Sequence, residues 1–176
     1  LKDVFVPDDM ALTIVGGFQR ATKVARGTWV GNQVAIASIY AGNARAAYEF
    51  ALTRTMEMKF GDSGNSIATS PMHQVLIGDA EMKLEEAHVW LRRQLLLETS
   101  EPPLHDNAYT GRNWRISKGA ICERSYDVAT IALQMAGTSG ALLGNQLGRG
   151  LRDASMGLVQ AFPAVRGKLD TAKQVT

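Results

Sequence analysis

A single cysteine, Cys122, stands among 176 residues. That excludes an internal disulfide framework and any multi-cysteine zinc site, and it suits a reducing, cytoplasmic setting. No charge of one sign dominates. Nineteen Lys plus Arg face 17 Asp plus Glu, a net of +2, so neither nucleic acid nor an anionic membrane surface is an expected partner. Long apolar runs are missing as well. The longest low-charge stretch, Gly27 to Ala44, carries Asn32, Gln33 and Asn43 and makes no membrane span. No basic-then-apolar leader opens the chain. Also absent are a Gly-x-Ser-x-Gly elbow, a P-loop and a Gly-x-Gly-x-x-Gly turn after a strand. What is present is ordinary for one folded domain with a sizeable core: 45% apolar and 20% charged residues.

The chain opens on Leu1 and not on methionine, in the middle of what reads as a strand. It is therefore expected to be the later part of a longer protein. Val4-Phe5-Val6, stopped by Pro7 and Asp8-Asp9, and Ala11 to Val15, stopped by Gly16-Gly17, read as two strands left from a preceding β domain over 1–20. From Thr28 the period becomes helical. Val30, Val34, Ala37, Ala41, Ala44, Tyr48 and Ala51 share one face, and a polar loop follows over Gly61 to Thr69. Ser70-Pro71 is a strong helix start. The second stripe is Leu76, Ala80, Leu84, Ala87, Leu91 and Leu95, ended by Glu101-Pro102-Pro103. A third helix should begin after Asp106 or Asn107 and run to about Ala136, burying Ile121, Val128, Ala132 and Met135. The fourth carries Leu147, Leu151, Ala154, Leu158 and Ala161 to Pro163, and a polar tail follows over 164–176. The spacing predicts an all-α fold, an antiparallel up-down four-helix bundle over 28–163 with a short β-strand remnant before it. Ile116, Ile131, Val75, Val89 and Trp90 lie off the inward stripes. Exposed in a monomer they would form an apolar patch, so a dimer or tetramer is expected.

Metal and nucleophile chemistry find little support. His73, His88 and His105 are far apart, and Glu85-x-x-His88 lacks the second copy that a bundle di-metal site needs. No metal site is expected. Cys122 sits mid-helix beside Glu123, which raises a thiol's pKa and leaves it an inert core residue.

Two segments carry more. One is Ala132-Leu133-Gln134-Met135-Ala136-Gly137-Thr138-Ser139-Gly140, a helix end running into a glycine-broken turn. The other is Leu147-Gly148-Arg149-Gly150-Leu151-Arg152-Asp153-Ala154, which opens the fourth helix. Joined to the upstream strand ending at Pro7, to Ala41-Gly42-Asn43-Ala44-Arg45-Ala46-Ala47, to Phe60-Gly61 and to Gln74 with Met82, they resemble the acyl-CoA dehydrogenase superfamily. The likeness is to its C-terminal four-helix domain and the last strands of its middle β domain, its flavin-dependent monooxygenase relatives included.

The resemblance implies an FAD-dependent oxidoreductase, a homodimer or homotetramer in which the flavin lies between the middle domain and helices of two subunits. Gln134 and Gly137 match the stretch that approaches the adenine side of a neighbouring subunit's FAD. Phe60 belongs to the Phe-Gly motif, and Arg152 falls on the substrate side. Glu57 stands where the family often has an arginine, and Arg54, one turn earlier, is the nearest cation to replace it. A larger departure concerns catalysis. The glutamate expected two turns after Arg-Asp-Ala falls on Ala161, flanked by Gln160 and Phe162, and no carboxylate lies between Asp153 and Asp170. The monooxygenase relatives also lack it but carry a histidine near this point, where this chain has Gln160. Glu49 is an alternative base, although it lies four residues from Arg45, the spacing of a solvated ion pair. The implied reaction is α,β-dehydrogenation of an acyl-CoA or other acyl thioester. Alternatives are reduced-flavin-dependent monooxygenation of another small molecule, and a non-catalytic partner subunit that completes a neighbour's flavin site.

Overall fold

The computed structural model describes residues 2–5, 7, 33–142, 144–160 and 163–176. Five α-helices lie among them: α1 Gln33–Glu57, α2 Pro71–Thr99, α3 Asn107–Ala136, α4 Gln146–Val159 and α5 Ala164–Val175. Short side chains set where they start. Ser70 Oγ accepts from the His73 N–H with Pro71 next in line, Asp106 accepts from the Tyr109 N–H at 2.7 Å, and Asn145 accepts from the Leu147 N–H at 2.9 Å. Each satisfies a main-chain donor that a helix's first turn leaves without a partner.

The first four helices form the expected bundle, alternating in direction. Lys83 reaches Asp127, Glu86 pairs with Arg124, and Gln94 meets Ser117, so α3 descends as α2 climbs. Tyr40 meets Gln160 and Asn43 meets Gly150, which sets α1 against α4 in the same way. The diagonal pair runs parallel. Ala37 and Ala41 pack near Ile121, while Ala44 to Ala51 pack among Val128, Ala132 and Met135. α1 builds its inner face from alanines that are almost wholly buried, so its backbone comes close to α3. Tyr48, Leu84, Ile121, Met135 and Val128 fill the remaining volume. Each apolar side chain of that size contributes roughly 1.5–3 kcal/mol on burial.

Four sequence expectations change. The second stripe turns inward at Gln94 and Leu97, whereas Leu95 is 43% exposed. The steps Ala80, Leu84, Ala87, Leu91, Gln94 keep the three-four alternation that a 3.6-residue turn requires, and Leu95 breaks it. Ile131, expected on the outside, is buried in the main core. Residues 164–175, expected as part of a polar tail, form helix α5 on α3. Apolar periodicity does not announce it because its contact rests on glycine: a Cβ on Gly167 would lie 2.7 Å from the Arg115 carbonyl oxygen. Arg115–Asp170 and Lys168–Glu123 ion pairs flank that contact. Finally, no strand lies among the described residues. Val4 and Phe5 are exposed and outside any strand, while Val6 and the run Ala11 to Val15 lie outside the described residues, as do Val30 and Ala161. The outer face of α2 leaves Met72, Val75, Met82 and Val89 more than half exposed.

Candidate functional site

Most of the sequence-chosen residues fall at one or the other end of the bundle. Because α1 and α3 run parallel, their C-terminal ends lie together, with Ala51 in one core cluster with Met135 and Ala136. Arg54, Phe60, Gln134 and Gly137 belong to this end. Arg54 lies with its guanidinium carbon 6.0 Å from the Phe50 ring centre. Its Nε is buried and has no hydrogen-bond partner among the described residues. Phe60 follows α1 in a turn closed by Asn65 and Gly64 and is 38% exposed. Glu57, the last residue of α1, is exposed. Gln134 is exposed beside a groove of about 330 Å³ that it shares with Lys83 and Asp127. Gly137 caps α3 with φ +62° and ψ −154°. A side chain strains that backbone, and nothing lies within 4 Å of where its Cβ would stand. The turn therefore leaves its main chain unshielded by a side chain.

The other group surrounds the C-terminus of α4. Gln160 is the helix's C-cap, its N–H bonded to the Met156 carbonyl at 2.8 Å. Its Oε1 accepts a hydrogen bond from the Tyr40 hydroxyl of α1. Lys118 of α3, only 2% exposed, donates to the carbonyls of Gly157 at 3.1 Å and Gln160 at 2.6 Å. Those carbonyls carry the partial negative charge of a helix end, which stabilises a cation there. Burial lowers the Lys118 pKa, partly opposed by Cys122. Burial also raises the Tyr40 hydroxyl, helped by Cys122 and Asp153, so it stays a neutral donor. Cys122 is pushed up to about 11, chiefly by burial, with Glu123 adding and Lys118 opposing. Gly157 seats these groups against one another, since a Cβ there would lie 3.1–3.2 Å from Cys122 and the Tyr40 ring.

Glu49 is exposed and holds Arg45 Nε at 2.6 Å, four residues away on the same helix. Arg152 is exposed, with a guanidinium nitrogen 3.7 Å from a Cβ built on Gly148, one turn back. Neither is brought against Gln160. Ala161 and Phe162 lie outside the described residues. No group of three or more His, Cys, Asp or Glu that could hold a metal occurs among the described residues, and no described helix is long and apolar enough to cross a membrane. The sequence reading missed Tyr40 and Lys118, although a signal for the lysine was present. Residues 118, 121, 125, 128, 132 and 135 keep one three-four alternation, so Lys118 is the single charge on the inward stripe of α3.

Gln134 lies 16 residues from Lys118 on α3, about 24 Å along the axis. The two ends are therefore too far apart to touch one small chemical group. The family model described as acyl-CoA dehydrogenase, C-terminal domain, matches residues 34–162. The chain belongs to this family.

Solved structures of similar fold agree. Butyryl-CoA dehydrogenase from Megasphaera elsdenii superposes with a TM-score of 0.73 at 19% identity, covering 91% of this chain and 39% of its own. The flavoprotein nitroalkane oxidase gives 0.75 at 14% identity, with 82% and 33% covered. The FAD complex of PigA gives 0.67 at 18% identity, with 98% and 42% covered. At these identities the likeness is one of fold, and the acyl-CoA dehydrogenase domain described here spans about two fifths of each relative or less. No curated protein matches the sequence.

Proposed function

We propose that this chain is the C-terminal domain of an FAD-dependent oxidoreductase whose reaction is α,β-dehydrogenation of an acyl thioester. The observation that carries the reading is the family match over 34–162, which includes Arg54, Phe60, Gln134 and Gly137 at one end of the bundle. For FAD the residues present fit at that end. Arg54 has a buried donor without a partner there, suited to a phosphate. Gly137 offers unshielded main chain and Gln134 an exposed amide with donor and acceptor, suited to the adenine side. Glu57 does not fit a phosphate, so the cationic role falls on Arg54. When bound, the flavin supplies the redox chemistry. The residues of this chain hold it, and the α4 end faces the substrate. A second copy covering the exposed outer face of α2 accounts for the dimer or tetramer of the proposal.

Deprotonation at an α-carbon needs a base. Among the described residues, those bonded at Gln160 are a phenol and a buried ammonium beside its own amide, and the carboxylate of Asp153 acts on Tyr40 only through its charge. This favours a second reading, reduced-flavin-dependent monooxygenation, which needs no α-proton base. A third is a partner subunit that only completes a neighbour's site. Purification of the full-length protein separates them. A yellow protein bleached by butyryl-CoA is the expected result. Bleaching only by an external reductase favours the monooxygenase, and a colourless stable protein favours the partner subunit. The substrate class, the base and the cytoplasmic location belong to this proposal.

A further inference from the structure

Three helices spend polar groups on Gln160, the residue that caps α4. Tyr40 from α1 fills Gln160 Oε1, Lys118 from α3 binds the Gln160 carbonyl, and α4 itself takes its N–H. An ordinary surface glutamine needs none of this. Fixing its rotamers costs conformational entropy, and burying an ammonium to hold its main chain costs more. A purely structural helix end would be satisfied by a glycine cap and an apolar residue at 118. The outcome of the arrangement is directional. The amide is planar, so an Oε1 occupied by the Tyr40 hydroxyl leaves the Nε2–H2 group as the part of the side chain free to donate. Tyr40 keeps its proton because burial raises its pKa, so it can donate to Oε1. Gln160 is exposed, at the end of the bundle that the reading above turns toward the substrate.

We propose that the Gln160 amide is the substrate-facing hydrogen-bond donor of this chain, specific for an acceptor oxygen such as a thioester carbonyl, and that Tyr40 and Lys118 are the positioning residues that aim it. The inference rests on the flavoenzyme reading above and deepens it. The α4 end recognises an oxygen where a carboxylate would repel one.

The test uses the full-length flavoprotein with butyryl-CoA as probe, its Kd measured by calorimetry and by perturbation of the flavin absorbance. Gln160→Leu should raise Kd about tenfold or more, the range for losing a donor to a buried or half-buried acceptor. Gln160→Glu, which keeps the length but exchanges donor for acceptor, should weaken binding further. Tyr40→Phe frees the amide to rotate and should raise Kd about three- to tenfold. In the Gln160→Leu background it should change nothing, because the residue it aims is gone. A purely structural tyrosine would instead cost the same in both backgrounds. Amide hydrogen exchange over the last turn of α4 controls for misfolding: it should rise in Lys118→Met and stay near wild type in Tyr40→Phe. Wild-type binding with Gln160→Leu within twofold overturns the donor assignment and leaves the flavoenzyme reading intact. Additive losses in the double variant overturn the positioning role of Tyr40. A yellow protein that binds no butyryl-CoA overturns the assigned ligand class, and a protein without flavin removes both readings together.

Discussion

Replacing Gly167 with alanine sets two well-known effects against each other at one place. In a helix interior, Gly→Ala ordinarily stabilises by about 1 kcal/mol, since alanine loses less backbone freedom on folding. At Gly167 the added Cβ would stand 2.7 Å from the Arg115 carbonyl oxygen, 3.0 Å from the carbonyl carbon and 3.4 Å from the Ile116 nitrogen. Ordinary contact begins near 3.4 Å, so α5 must retreat by about 0.7 Å. A helix backbone cannot step aside as a flexible side chain can. The retreat also stretches the Arg115–Asp170 and Lys168–Glu123 pairs, at 3.5 and 2.9 Å. Overpacking of this kind costs about 1–3 kcal/mol, enough to overcome the propensity gain. The expected net is a loss of roughly 1 kcal/mol, or about 2–4 °C in Tm for a domain of this size. Gly42→Ala in α1 is the matched control. It is an exposed helical glycine with nothing within 4 Å of its Cβ position, and it should stabilise by about 0.5–1 kcal/mol. Urea unfolding followed by circular dichroism measures both, and hydrogen exchange locates the loosened helix in α5. A Gly167→Ala protein as stable as the Gly42→Ala one, with α5 equally protected, would refute the close-packing account.

Lys118→Met should destabilise by about 2 kcal/mol, because two helix-end carbonyls lose charge-assisted bonds and only part of that is returned by no longer burying an ammonium; an unchanged urea midpoint would count against it. Cys122, with its thiol near 11 instead of 9, should alkylate with iodoacetamide at pH 8 at least about a hundredfold more slowly than a free thiol, by thiolate fraction alone. The same shift has a stability sign. Unfolded chains release this proton near pH 9 and the folded one holds it to about 11, so stability should fall across that window. Tyr48, raised to about 12 chiefly by burial and by its bond to Glu81, extends the fall to higher pH, while the lowered Lys118 opposes it below 10.5. A urea midpoint that stays flat from pH 10.5 to about 12, above the range in which Lys118 opposes the fall, would contradict these burial effects. Glu49→Gln should leave the urea midpoint at its wild-type value, as its partner Arg45 is a solvated neighbour on the same helix.

Local chemistry was legible in the residues alone. Ser70-Pro71 and Asp106 mark helix starts because a side-chain oxygen or a missing N–H meets the needs of a first turn whatever the rest of the chain does. The alanine stripe of α1 and the stripe of α3 likewise follow from the 3.6-residue period, which requires no knowledge of the neighbour. The motifs at Gln134–Gly140 and Arg152–Ala154 gave the family for the same reason: they are short, contiguous and in order. Other features depended on what stands opposite. Gln94 displaces Leu95 from the core because Ser117 and the Thr110 carbonyl face it across the bundle, and polarity by itself places a glutamine outside. Helix α5 docks through Gly167 and Ala164, whose value lies in having no bulk where Arg115 and Gly119 approach. Lys118 interrupts an apolar stripe, and only the fold supplies the reason. The carbonyls of Gly157 and Gln160, 39 and 42 residues further on, end a helix against its ammonium group. Periodicity fixes which face of a helix turns inward, whereas the partner that makes a buried charge or a bare glycine tolerable comes from distant chain, and tertiary structure alone decides it.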